Sequence, residues 1–236
     1  MNRISVEPTS EPSEARRRVE ADCQSPVGIG VAQWWVADAG TTVLSGSLDK
    51  EYIMQMFMSK LASPLGDMLL VTDSQQIVRA LDFADHQARL QRCLREHYGS
   101  VELADIPAPS GIAEAVARYF SGELGALDML RTETAGAELQ RRVWRALRQI
   151  PAGTTTTYGK LARALGFDDP RAAIEIGAAN GANPIAIIVP CHRVIASNGD
   201  LKGYAWGLHR KRWLLEHEKA IAPQRVVPHT AMLPGM

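Results

Sequence analysis

The stretch N-P-I-A-I-I-V-P-C-H-R-V-I-A-S-N-G, residues 183 to 199, sets a thiol, an imidazole and a guanidinium side by side at Cys191, His192 and Arg193, directly behind an apolar run. A cysteine attacks as the thiolate, so a working nucleophile needs a base or a cation close enough to counter a pKa of about 8.5. His192 is the candidate base. On an extended chain adjacent side chains point to opposite faces, so the imidazole must reach the sulfur through a turn or a water. A carboxylate would orient the ring, and R-K-R-W-L-L-E-H-E near the C-terminus offers Glu216 and Glu218. A buried cysteine beside a surface histidine accounts for the same residues with no chemistry. The local pattern leaves both readings open.

The elements around these residues constrain how they can be held. I-A-I-I-V reads as a fully buried strand ended by Pro190, which would seat Cys191 on a rigid strand end. Leu139, Val143, Leu147 and Ile150 predict an amphipathic helix that stops at Pro151. A short helix over Y-G-K-L-A-R-A-L-G is closed by Gly166. Asp169 as N-cap and Pro170 as first helical residue open another, running to about Asn180. The second is slim, carrying Ala172, Ala173, Gly177, Ala178 and Ala179, and can approach another backbone closely. Two short helices joined by a tight turn form a helix-turn-helix, which serves DNA docking or plain packing. Upstream, Met68 to Thr72 and Ile77 to Phe83 predict a hairpin. Helical stripes follow at Leu90, Cys93, Leu94 and His97, and at Ile112, Val116, Tyr119 and Phe120. On its stripe, Cys93 reads as an inert core thiol.

Composition narrows the class. With 236 residues, 46% of them hydrophobic and 22% charged, the chain can bury one large core or two small ones. No apolar run reaches the roughly 20 residues of a membrane span, and the N-terminus lacks the apolar core of a signal peptide. No membrane partner is expected, and the cytoplasm is the expected compartment. Cys23, Cys93 and Cys191 form an odd set without a C-x-x-C pair, so neither a disulfide framework nor a cysteine-rich zinc site is expected. The net charge is zero, yet Leu139 to Lys219 holds 13 lysines and arginines against 6 aspartates and glutamates. That surplus fits a nucleic-acid face or a solvated helical surface. Residues 1–53, with Trp34 and Trp35 their main apolar feature, read as a flexible extension. A small α/β domain over 54–131, a helical domain over 132–222 and a tail over 223–236 complete the division.

I-P-A-G-T-T-T-T-Y-G-K-L-A-R-A-L-G, G-A-A-N-G-A-N-P-I-A-I-I-V-P-C-H-R-V-I-A-S-N-G-D-L-K-G-Y-A-W-G and H-R-K-R-W-L-L-E-H-E, in that order, resemble the O6-alkylguanine-DNA alkyltransferases. The resemblance runs from about Met58 to Lys219 and is densest in the last third. It implies an α/β (α+β) chain, with a small ribonuclease-H-like N-terminal domain and a mostly helical domain bearing the helix-turn-helix. The implied partner is double-stranded DNA carrying O6-alkylguanine, entered from the minor groove by a monomer that flips the base; no cofactor or metal is implied. Cys191 would take the alkyl group, with His192 as base through a water, Glu218 orienting it, Tyr158 donating to N3 of guanine and Asn183 bracing the turn. Val194, Tyr204, Ala205 and Trp206 match pocket positions, Trp206 standing where many relatives have glycine and narrowing the mouth. Arg171, Ala172, Ile174, Gly177, Ala178 and Arg193 match the DNA-facing set. The family's recognition helix reads R-A-V-G; this chain reads I-E-I-G, with Ile174 in the arginine's place and Arg171 one turn earlier. The alternative within the same fold is a protein that binds alkylated DNA without repairing it.

Overall fold

The computed structural model describes residues 54–223. Cys23, Trp34, Trp35 and the last residues of the tail lie outside them. Strands β1 (Met54–Leu61), β2 (Met68–Thr72) and β3 (Val78–Phe83) form an antiparallel meander, and β4 (Val101–Asp105) adds to β1 in parallel, giving the order β3-β2-β1-β4. Helix α1 (Gln87–Tyr98) makes the crossover from β3 to β4, as a parallel pairing requires. The two-residue period of the strands divides their side chains between the faces. Met56, Val71 and Ala80 meet Leu90 and Leu94 of α1, while Leu70, Leu81 and Phe83 enter the larger core on the other side. The expected hairpin is present. Strand β4 was not expected: V-E-L-A-D is short and half exposed, and what makes it a strand is its pairing with β1.

That larger core is continuous through the helical half. Helix α2 (Ser110–Phe120) contributes Ile112, Val116 and Tyr119, and α3 (Glu138–Leu147) contributes Val143, Trp144 and Leu147. Strand β5 (Thr156–Thr157) leads into α4 (Tyr158–Ala164). Helix α5 (Ala172–Gly181), strand β6 (Val194–Ile195) and α6 (Leu208–His217) follow. Helix α5 starts two residues later than expected. The Asp169 carboxylate accepts from the Arg171 amide at 2.8 Å, and the amides of Ala172 and Ala173 bond three residues back, so one tight turn precedes the helix.

The expected strand over I-A-I-I-V is not formed. Residues 185 to 189 wind through consecutive turns, with Ile187 at φ +65, a left-handed value that a β-branched residue adopts only under constraint. One bridge remains: the Leu81 amide donates to Pro184 O at 3.0 Å, and the Ala186 amide donates to Leu81 O at 2.8 Å. The Asn183 side chain meets the other backbone demands. Its Nδ2 donates to Ile185 O at 3.1 Å and Val189 O at 2.8 Å, and its Oδ1 accepts from the Ile185 amide at 3.0 Å. An apolar run this deeply buried needs its peptide groups paired, and a side-chain amide does that here in place of a neighbouring strand.

Candidate active site

Cys191 opens a single 3-10 turn, Cys191–Arg193, and is 2% exposed. Its sulfur lies 3.1 Å from Asn183 Nδ2, so the amide that braces the loop also donates to the sulfur. Burial pushes the thiol up, against the Asn183 hydrogen bond and the charges of Lys211 and Arg89. The resting group is therefore a thiol.

An imidazole and a carboxylate lie behind it. His192 is fully buried; its Nε2 meets Glu218 Oε1 at 3.0 Å, and its Nδ1 is buried with no hydrogen-bond partner in the protein. Burial lowers the His192 pKa, outweighing the pull of Glu218, so the ring is neutral at physiological pH. A neutral ring that donates from Nε2 to a carboxylate keeps its lone pair on Nδ1. Glu218, the cap residue of α6, accepts two further hydrogen bonds from Arg193, at 2.9 and 2.8 Å, and one from the Tyr119 hydroxyl at 2.8 Å. Burial alone would raise its pKa, but the hydrogen bonds from His192 and Arg193 and the arginine's charge hold it well below the usual carboxylate range. Arg193 is thus committed inward and 6% exposed, which corrects the expectation that it faces DNA: Nε and Nη2 are bound to the buried Glu218 carboxylate and Nη1 to the Ile150 carbonyl, so the guanidinium is turned away from the surface.

A cleft of about 400 Å³ opens over the sulfur, lined by Tyr158, Gly177, Asn180, Gly181, Cys191, Gly203, Tyr204 and Ala205. Strand pairing places Tyr158: β5 runs parallel to β6, Thr157 opposite Ile195, which brings the first residue of α4 beside the Cys191 turn. Thr157 Oγ1 caps α4 by accepting from the Lys160 amide at 3.2 Å. Burial and then the nearby Cys191 raise the Tyr158 hydroxyl, so it is a proton donor. Gly177 lies under this ring, where a Cβ would rest at 3.8 Å.

Two expected pocket residues do not line the cleft. Val194 is fully buried in β6, and only its carbonyl is engaged, by Lys211 Nζ at 2.7 Å. Trp206 is fully buried behind the cleft. It donates from Nε1 to Asp82, lies under the Arg89 guanidinium at 4.5 Å, and meets Tyr204 and Phe83 edge-on at 5.0 and 6.4 Å between centroids. The expectation that it narrows the mouth is corrected; an indole with a buried carboxylate partner and aromatic neighbours belongs to the core. On α5, Ile174 is 75% exposed, Arg171 and Ala178 are exposed, and Ala172 is buried at 8%. Ala172 therefore packs inward, a correction that follows from the helical period: positions 171, 174 and 178 share the outer face, and 172, 176 and 179 the inner one.

Three residues of the site were missed in sequence. Lys211, Leu214, Leu215 and Glu218 follow the i, i+3, i+4, i+7 pattern, and all four are buried. A lysine on that stripe is a signal in itself; burial brings its pKa down to about 8. Tyr119 read as core, and its ring is, but its hydroxyl reaches Glu218. Asn180 sits at the end of the inner face of α5 and in the cleft wall.

Comparison with known proteins gives matches over both halves. Residues 56–134 match the ribonuclease-like domain of 6-O-methylguanine DNA methyltransferase, and residues 138–220 match its DNA binding domain. A methylated-DNA–protein-cysteine methyltransferase of Salmonella typhimurium is 46% identical over 168 residues, 70% of this chain and 97% of that protein. One from Mycobacterium tuberculosis is 50% identical over 119 residues, 50% of this chain and 70% of that protein. Among solved structures, the Mycobacterium tuberculosis OGT in complex with DNA aligns with a TM-score of 0.57 at 36% identity, covering 70% of this chain and 93% of that one. The O6-methylguanine-DNA methyltransferase of Pyrococcus kodakaraensis aligns at 0.54 and 28%, covering 69% and 98%.

Proposed function

Since the chain belongs to the 6-O-methylguanine DNA methyltransferase family, and so acts in direct-reversal repair by moving an alkyl group from O6 of guanine in DNA to a cysteine of its own, we propose that Cys191 is the acceptor. The observation that carries the assignment is the buried sulfur in the wall of a base-sized cleft, with the neutral imidazole of His192 held behind it by an ionised Glu218. A water between the sulfur and His192 Nδ1 passes the thiol proton to the ring. The thiolate then displaces guanine from the alkyl carbon in line, forming the S–C bond as the C–O6 bond breaks. Electrons released to the base are matched by a hydrogen bond from Tyr158 to N3, and the base regains a proton at N1 equal to the one lost by the thiol. Glu218 stabilises the imidazolium by charge and does not take its proton, because three side chains already donate to it. The thioether is permanent, so each chain acts once.

The sulfur can meet a base in duplex DNA only if that base leaves the stack. The outer face of α5, with Arg171, Ile174 and Ala178, supports entry into the minor groove by a slim helix with an apolar residue at the stack. Incubating the protein with duplex DNA carrying radiolabelled O6-methylguanine, followed by peptide mapping, is the direct test. The label is expected on the peptide holding Cys191, with transfer abolished in Cys191→Ser while DNA binding persists. Label on Cys93 or Cys23 would overturn the assignment.

A further inference from the structure

Tyr119 reaches the site from the first half of the chain. It is fully buried on the inner face of α2, and its ring meets Phe120 and His217 edge-on, each at 5.3 Å between centroids. Its carbonyl lies 2.8 Å from His217 Nε2 and its hydroxyl donates to Glu218 Oε1 at 2.8 Å, so one residue of α2 is fastened to two successive residues at the end of α6. Burial and the charge of Glu218 push the phenol far up, so it keeps its proton and donates. A phenylalanine would fill the same space; the hydroxyl adds the bond to Glu218. That oxygen also receives His192 Nε2 at 3.0 Å and Arg193 Nη2 at 2.8 Å. Donors that share one oxygen share its negative charge, and an oxygen relieved by a neutral donor pulls less on a proton in the facing ring. Beyond burial, the charged groups acting on that ring are Glu218, which favours its protonated form, and Arg193 and Lys211, which oppose it. Helix α3, also packed against this turn, buries Val143, Trp144 and Leu147.

We propose that Tyr119 is a positioning residue for the transfer reaction: its hydroxyl fixes Glu218 and takes up part of the carboxylate's charge, which leaves His192 neutral at rest and able to accept the thiol proton. This rests on the reading of His192 as the base. Tyr119 acts through Glu218 and loses no proton of its own; it donates the same hydrogen bond before and after the thiol proton reaches the ring. The sign of its effect is fixed by the geometry. Without the hydroxyl, Oε1 faces His192 Nε2 with more of its negative charge, the imidazolium is better stabilised, and the ring takes up its proton at a higher pH. More of the protein then rests with a ring that has no lone pair to offer. The half of the chain that carries the four-stranded sheet thereby has a part in the chemistry, supplied by a residue that makes no contact with DNA's reacting atoms.

Two readouts on the full-length protein test this. One is single-turnover transfer from an oligonucleotide carrying O6-methylguanine, followed against pH; the other is NMR titration of the His192 ring in protein labelled with 15N-histidine, its signal identified by its loss in His192→Gln. In Tyr119→Phe both midpoints should rise by about one pH unit, a tenfold change in the proton affinity of the ring. Replacing the tyrosines by 3-fluorotyrosine keeps the bond but makes the phenol more acidic and a stronger donor, and should move the His192 signal the other way. His217→Gln is the control: it removes the partner of the Tyr119 carbonyl and loosens the same contact between α2 and α6 while the hydroxyl stays, so both midpoints should hold. Unmoved midpoints in Tyr119→Phe, a uniform fall in its rate at every pH, or an equal rise in His217→Gln overturns the proposal, since each means that Tyr119 only packs. If the ring's midpoint rises in Tyr119→Phe and the rate does not follow, His192 is not the base, and it is the reading of the relay that fails.

Discussion

As the proposed acceptor, Cys191 would have to react from a site that favours its unreactive form. Burial holds the sulfur protonated, and the same burial keeps His192 neutral, so the environment that disfavours the thiolate also prepares the base that generates it. The pH dependence follows with a definite sign. Transfer requires the neutral ring; His192 is lowered from the ordinary 6.5, so the rate should be flat through that value and decline only below it. The stability contribution runs the same way. A histidine buried neutral takes up a proton on unfolding, so its contribution is complete above about pH 6.5 and is lost as the pH falls through the lower folded value. Single-turnover rates between about pH 5 and 8 test this. His192→Gln is expected to be slow and without an acid limb. A wild-type rate already falling at neutral pH would mean that the imidazole is charged at rest and is not the base.

Helix α5 has a buried face and an exposed one, and the proposed docking uses the second. The inner face, with Ile176 fully buried and Ala179 at 4%, fixes the helix in the core. The outer face leaves Ile174 projecting one turn beyond Arg171, whose guanidinium is held by Asp169 at 3.0 Å. A base leaving the stack opens a gap, and an apolar wedge recovers part of an unstacking cost of a few kcal/mol. Ile174→Ala is therefore expected to slow repair of duplex DNA at least tenfold, about 1.4 kcal/mol, with reaction on single-stranded substrate almost unchanged. Arg171→Ala should weaken duplex binding modestly and with a smaller salt dependence. If Ile174→Ala is neutral and Arg171→Ala carries the duplex-specific loss, the arginine is the working finger and the register of insertion differs by a turn.

The two halves of the molecule share the site. Arg89 of α1 donates to the Asp82 carboxylate of β3 at 2.7 Å and to the carbonyl of Asn183 at 2.6 Å, while Trp206 donates to the same Asp82. Tyr119, also from the first half, holds Glu218. The sheet domain thus reaches Asn183, beside the Cys191 sulfur, at one end and Glu218, beside His192, at the other. Trp206→Gly is a direct probe of this arrangement. Removing a fully buried indole should cost about 3–5 kcal/mol and leave Asp82 short of a donor. Urea denaturation should show the loss, and inactivation by O6-benzylguanine should not be enhanced. A stable, sensitised variant would place the indole at the mouth of the cleft after all.

Cys191 and His192 stand out in sequence as neighbours, and the family resemblance adds Asn183, Tyr158 and Glu218, which the structure brings together around one cleft; the helices whose apolar residues recur at helical spacing were legible directly. Chemistry written in neighbouring residues survives without coordinates. The direction in which a side chain points does not. Arg193 turns to Glu218, Ala172 into the core and Trp206 to Asp82, because each partner lies 25 or more positions away or depends on which helix face is covered. The apolar run before Cys191 looked like a strand since composition reports burial alone. Whether buried backbone is paired by a neighbouring strand or by a side chain such as Asn183 is settled only when the whole chain is folded around it. Lys211, Tyr119 and Asn180 escaped for the same reason: each lies on an apolar helical face, and only the tertiary structure decides whether the polar end of such a residue is brought to a carboxylate, a carbonyl or a cleft.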